Sequence, residues 1–394
     1  MSVDRDDHVR RLLLDAVPEL RAPEDRLARV AAKVRGRRVM KSALTAAGCL
    51  LVVAGVFAAL RTGDGPQRAE IPPLASPDTP ASVETTTTAA TPASSRPALS
   101  NGTTVTRPPG VSYVAARIPA GWDGSGDLRV STTGQLPGAG GVGAFRQVCQ
   151  YSHMAPEDPV ISPGARLASP LMVYAGNTGA GASSTAQTIA NSGNSTCWGG
   201  IADRSAYWTT ALLDTRSGTP LAPNEFSIRY SANYPRRDLV QPMPAGLKLV
   251  SDQATWGCWD GTLTTYPRLP NCPAGSQIAL NIWFPRCWDG THLDSPDHRS
   301  HVTYPAGSTC PADHPVPIPQ LEYHVLYQGP ADGAWRLSND TSPGGADVVG
   351  YAGFLEGWQA QIRQAWTDNC IRKAVTCESH MLGDGRVIDG KGDV

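Results

Sequence analysis

Two stretches of this chain repeat one another around four cysteines. Cys258-Trp259-Asp260-Gly261-Thr262 leads to Tyr266-Pro267 and then to Cys272-Pro273-Ala274. Cys287-Trp288-Asp289-Gly290-Thr291 leads to Tyr304-Pro305 and then to Cys310-Pro311-Ala312, with four residues between the last two elements in both copies. Ten identities in one order predict two equivalent loops, each closed by its own disulfide, Cys258–Cys272 and Cys287–Cys310. Loops this short gain about 3 kcal/mol from such a bond. The other cysteines beyond residue 110 are Cys149, Cys197, Cys370 and Cys377. An even set of eight reads as an oxidised, exported domain with four disulfides. Cys370–Cys377 would close a turn and leave Cys149–Cys197, although spacing alone does not settle connectivity. No paired C-x₂₋₄-C spacing for zinc is present.

The ninth cysteine, Cys49, lies in a different kind of segment. Ser42 to Leu60 is a run of 19 uncharged residues, and a helix of that length roughly spans a bilayer core of about 30 Å. Residues 1–41 carry eleven Lys/Arg against seven Asp/Glu, with Lys33, Arg35, Arg37, Arg38 and Lys41 next to the apolar run. This bias places the N-terminus in the cytoplasm and everything after Arg61 outside. A cleaved signal peptide is the competing reading, but 41 residues before the apolar run is long for one. Residues 71–110 hold eight Pro, nine Thr and five Ser, a composition with nothing to bury. The expectation is therefore a single-pass membrane anchor at 42–60, a disordered tether at 61–110 and an extracellular domain at 111–394.

All 10 Trp and all 11 Tyr lie in that last part, and 40 Gly and 34 Pro punctuate the chain. Short strands joined by turns follow, and Gln277–Phe284 and Leu321–Tyr327 are the clearest of them. The fold class expected is mainly β, a sandwich or jelly roll with one C-terminal helix. Phe354, Trp358, Ile362 and Trp366 recur every four residues and mark that helix, packed on a sheet face.

The repeat also isolates an insertion. Its first copy has three residues, Leu263–Thr265, where its second has twelve, His292–Thr303. The longer stretch carries His292, Asp294, Asp297, His298, Arg299 and His301. Carboxylates and imidazoles this close suit acid–base chemistry or a divalent cation. The competing reading is a solvated loop in which Ser295-Pro296-Asp297 forms a turn and cap.

Phe284-Pro285-Arg286-Cys287-Trp288-Asp289-Gly290, followed by Leu293-Asp294-Ser295-Pro296-Asp297-His298-Arg299-Ser300-His301-Val302, resembles the DUF1996 family of exported domains. Tyr151-Ser152-His153, Gly176-Asn177-Thr178, Arg204-Ser205-Ala206-Tyr207-Trp208 and Gln241-Pro242-Met243-Pro244 extend the likeness over about 145–370. The resemblance implies an exported, disulfide-bonded β domain and brings no established activity. It also implies imidazoles where Ser169-Pro170-Leu171-Met172 stands, and a His and an Asp where Tyr351-Ala352-Gly353-Phe354 stands. A metal site is therefore not expected in this chain.

Three functions follow. The first is a surface-displayed module binding cell-wall or extracellular polysaccharide, a reading that includes a degenerate carbohydrate-active enzyme. In it Trp259, Trp288, Tyr304 and Trp198 offer faces for sugar stacking and Asp289 a hydrogen-bonding carboxylate. The second is an active hydrolase or lyase, with Asp294 or Asp297 paired to His298, His301 beside them and His153 joining from elsewhere. The third is a structural or adhesive surface protein. A net charge of −1 speaks against nucleic acid as a partner. No P-loop, G-x-S-x-G, H-E-x-x-H or dinucleotide fingerprint points to a cofactor.

Overall fold

A computed structural model describes residues 104–105 and 110–390, apart from 233, 261–262, 274, 329–334, 342–349 and 379. The expected membrane segment and cytoplasmic stretch lie outside the described residues, as does nearly all of the tether. The exception is Thr104–Val105, which pairs antiparallel with Tyr113–Val114. Among the described residues no helix is long and apolar enough to cross a membrane.

The mainly β reading holds. A seven-stranded sheet runs in the order Leu263–Tyr266, Ala254–Trp259, Gln277–Trp283, Gln320–Tyr327, Glu225–Ser231, Ala144–Cys149 and Thr376–Cys377. Every pairing in it is antiparallel except the last. A five-stranded antiparallel sheet runs Lys248–Ser251, Ala352–Leu355, Ala206–Thr210, Met172–Gly176 and Tyr151–Ala155.

The two sheets share one core because alternate residues of each point at the other. Phe226, Ile228 and Tyr230 from one strand and Leu321, Tyr323 and Val325 from its neighbour are all buried in it. Tyr207 and Phe354 of the five-stranded sheet meet them: Tyr207 packs edge-on against Tyr323 at 5.9 Å, and Tyr323 Oη donates to the Gly353 carbonyl at 2.8 Å. Strand Gln277–Trp283 keeps the expected boundaries to within a residue.

The C-terminal helix is shorter than its periodicity suggests. It covers Ala360–Trp366 and passes into a π-helical turn at Thr367–Arg372. Phe354 instead belongs to a strand, opposite Leu249 and Tyr207, and Trp358 precedes the helix. All four residues of Ala352–Leu355 are buried. A strand buried on both faces carries an unbroken apolar run, which also fits a helical period. Trp366 stacks on Phe145 at 5.3 Å, so the helix does pack on the seven-stranded sheet. A second short helix, Ala186–Asn191, is capped by Thr185.

Four disulfides join Cys149–Cys197, Cys258–Cys272, Cys287–Cys310 and Cys370–Cys377. Both repeat copies fold back on themselves: Cys258 pairs opposite Thr264 and Cys287 opposite Thr303. The first copy is built into the seven-stranded sheet. The second forms a small separate sheet with Val316–Pro317.

Candidate functional site

The insertion of the second repeat is a loop knit together by its own polar groups. Asp289 Oδ1 accepts from the backbone N–H of Thr291 and His292, and its Oδ2 lies 2.6 Å from His292 Nδ1. Partial desolvation works to raise its pKa, but these bonds outweigh it and hold the carboxyl down at about 2. Asp294 pairs with Lys248 Nζ and with His298 Nδ1, each at 2.8 Å. Its desolvation is likewise outweighed by its hydrogen bonds to Lys248 and His298, so it titrates below the usual range. Asp297 Oδ1 accepts from Ser295 Oγ, Ser300 Oγ and the N–H groups of Arg299 and Ser300, and these hold it well below the usual range. This is the Asx geometry that closes tight turns.

His301 sits at the base of the loop, 1% exposed. Its Nε2 lies 2.8 Å from the Lys248 carbonyl oxygen, an acceptor only, so Nε2 carries the hydrogen. Its Nδ1 is 2.9 Å from Ser295 Oγ, which in turn donates to Asp297. The chain of contacts from carboxylate through hydroxyl to imidazole ends on a backbone carbonyl. That arrangement pins the loop onto strand Lys248–Ser251. His298 adopts φ 58°, the left-handed region, at the turn after Ser295.

His153 does not join this loop. It lies on Tyr151–Ala155, the opposite edge of the five-stranded sheet from Lys248, and four interstrand steps separate the two edges by about 19 Å. There it starts a row of rings across the outer face of that sheet. His153 stacks on Tyr174 at 4.7 Å, and Tyr174 on Trp208 at 5.7 Å. Trp208 covers Gly353, and its Nε1 donates to Asp158 Oδ2 at 3.0 Å. Tyr351, which stands where the family resemblance implied a histidine, donates to the same carboxylate oxygen at 2.8 Å. Tyr174, Trp208 and Asp158 are all buried. Aromatic packing therefore fills this face.

A different face is open. On the outer side of the seven-stranded sheet lies a groove of about 490 Å³ lined by Trp259, Trp283, His324, Asn281, Ser227 and Arg229 among others. Strand pairing brings them together. Arg146, Arg229, Glu322 and Trp283 form one transverse row, and Val148, Ser227, His324 and Asn281 the next. Trp259 stands edge-on to His324 at 6.2 Å and is 36% exposed. Asn281 Oδ1 accepts from His324 Nδ1, while its enclosed Nδ2 has no partner. Burial pushes the His324 pKa down, so the ring is neutral near pH 7 and its Nε2 is an acceptor. Arg146 is held between Ser227 Oγ at 2.8 Å and Glu225 at 2.5 Å.

Of the rings expected to be exposed, Trp259 is in this groove and Tyr304 is 38% exposed beside it, its hydroxyl donating to the Trp283 carbonyl. Trp288 is partly buried, with Nε1 bonded to the His292 carbonyl. Trp198 is likewise partly buried and packs edge-on against His380 at 4.6 Å. The sequence did carry a sign of the polar wall. In Glu225–Ser231 and Gln320–Tyr327, Glu225, Ser227, Arg229, Glu322 and His324 alternate strictly with apolar residues.

Cys149, Cys197 and Asp203 cluster closely enough to hold a metal. The two sulfurs are bonded to one another, however, and offer no thiolate. A family model described as "Domain of unknown function (DUF1996)" matches residues 158–358, just over half of the chain. No curated protein and no solved structure matches it.

Proposed function

The chain belongs to the DUF1996 family, a domain of unknown function, and from its own surface we propose that it binds polysaccharide in the open groove of the seven-stranded sheet. The reading extends to an extracellular domain held at the membrane by Ser42–Leu60 through a Thr/Pro/Ser-rich tether and displayed toward wall or matrix polymers. The observation that carries it is the juxtaposition of Trp259 and Trp283 with the unpartnered amide of Asn281, the Nε2 acceptor of His324 and the hydroxyl of Ser227. Indole faces cover the C–H surface of a sugar while neighbouring amide, imidazole and hydroxyl groups bond its hydroxyls. The Asp/His loop supports binding over hydrolysis, because its carboxylates and His301 are engaged in holding the loop to the sheet edge.

The test is to incubate the full oxidised chain with insoluble wall polysaccharides and to measure both retained protein and released oligosaccharide. Retention without release is expected, and Trp259→Ala should weaken it about tenfold. Release that depends on Asp294 or His298 would instead establish the hydrolase reading. No retention on any polymer would remove the proposal. Protease treatment of intact cells should cleave beyond residue 61, and protection there would overturn the topology.

A further inference from the structure

The groove continues past Arg229 and Glu322 into a second cavity of about 480 Å³, which those two residues share with Arg237, Arg286, Ser231 and Tyr234. Arg286 is the unusual member. It lies between the enclosed residues Phe284 and Cys287 and is only 6% exposed. Among the described residues its guanidinium makes no hydrogen bond and no ion pair, and Nη1 is fully enclosed without a partner. Nε of Arg237 is enclosed and unpartnered as well. A guanidinium cannot shed its charge at accessible pH, and a buried charge without a counter-ion opposes folding. Among the described residues the only carboxylate lining this cavity, Glu322, already accepts from Ser231 Oγ at 2.6 Å and lies 3.4 Å from Arg229 Nη1. Three guanidinium groups therefore face one occupied carboxylate.

We propose that Arg286, Arg229 and Arg237 form an anion subsite at the end of the groove, so that the polysaccharide bound there is acidic. The inference rests on the glycan-binding reading and adds the chemical class of the ligand. The forked donors of Arg286 and Arg237 suit a two-oxygen anion, supplied either by a uronate carboxylate or by a sugar phosphate. Trp259 and Trp283 take the faces of sugar rings, while the arginines take the charged substituent further along the same polymer. The anion relieves the uncompensated charge that folding leaves at Arg286.

The experiment measures retention of the full oxidised chain on polygalacturonate, fully methyl-esterified polygalacturonate, phosphocellulose and cellulose, each at low and high salt. Polygalacturonate or phosphocellulose should retain the chain at least tenfold better than its uncharged counterpart, and whichever pair shows the difference identifies the anion. Arg286→Met should abolish the preference while leaving the melting temperature equal or higher, because a buried charge is replaced by an apolar chain of similar length. The more exposed Arg237→Gln should reduce the preference severalfold. Equal retention on charged and uncharged polymers would overturn the anion subsite while the glycan-binding reading stands. Preference that survives both substitutions would overturn it too, and no retention on any of the four would overturn both.

Discussion

Gly353 sits on the five-stranded sheet directly beneath the indole of Trp208, and adding a single methyl group there tests how the outer face is packed. A Cβ at this position would lie 2.3 Å from Cε2 and Cζ2 of Trp208 and 2.6 Å from Nε1. Carbon atoms pack best at about 3.5–4.0 Å, so the ring would have to move by more than about 1 Å. Trp208 has no room to do so: it is fully enclosed, stacked on Tyr174 and bonded to Asp158, and its strand is paired on both sides. Overpacking costs about 1–3 kcal/mol, and losing a hydrogen bond to the buried carboxylate costs about 1.5–3. The reduced freedom of alanine in the unfolded chain returns at most about 1 kcal/mol. Gly353→Ala should therefore destabilise the domain by about 3 kcal/mol, a large share of the usual 5–15. Urea unfolding of the oxidised protein, followed by tryptophan fluorescence, measures it. In Gly353→Ala/Trp208→Phe the smaller ring relieves the collision, so the combined loss should fall at least 1 kcal/mol short of the sum of the single changes. A single change within about 0.5 kcal/mol of the parent, or strict additivity, would refute this account of the packing.

Three further outcomes are expected. Burial raises the Asp203 pKa from 3.8 to about 6 against the opposing hydrogen bonds of Ser205, Tyr207 and Gln147. The folded state thus binds this proton more tightly than the unfolded chain. Its contribution is fully present below pH 3.8 and falls by about 3 kcal/mol as pH rises through about 6; buried Glu356, raised to about 7, adds its own slope to both proteins, so urea midpoints between pH 4 and 7.5 should fall more steeply for the parent than for Asp203→Asn. Replacing Cys287 and Cys310 together by alanine should cost about 3 kcal/mol in the same assay, as expected for a loop of 23 residues. His301→Ala should lower stability by about 2 kcal/mol, because Ser295 and the Lys248 carbonyl lose a buried partner. An unchanged melting temperature there would show that the imidazole is not holding the loop.

Local chemistry made part of this molecule readable from its sequence. The duplicated cysteine spacing, the turn density and the alternation in Gln277–Trp283 are short-range patterns, and short-range patterns survive in a linear text. The same logic misled at Phe354 and Trp358, where a doubly buried strand and a glycine-interrupted loop happened to fall on a four-residue period. His153 and His301 could not be placed relative to one another, because their separation depends on which strands occupy the edges of a sheet. The groove is the stronger example: Arg146, Ser227, Asn281 and Glu322 come from four strands far apart in the chain, and only lateral pairing makes them one surface. Whether an arginine such as Arg286 finds a counter-ion is likewise decided by what the fold packs around it. Covalent spacing and side-chain alternation belong to the sequence; adjacency across a sheet, and the unpaired charge it leaves facing a cavity, belong to the tertiary structure.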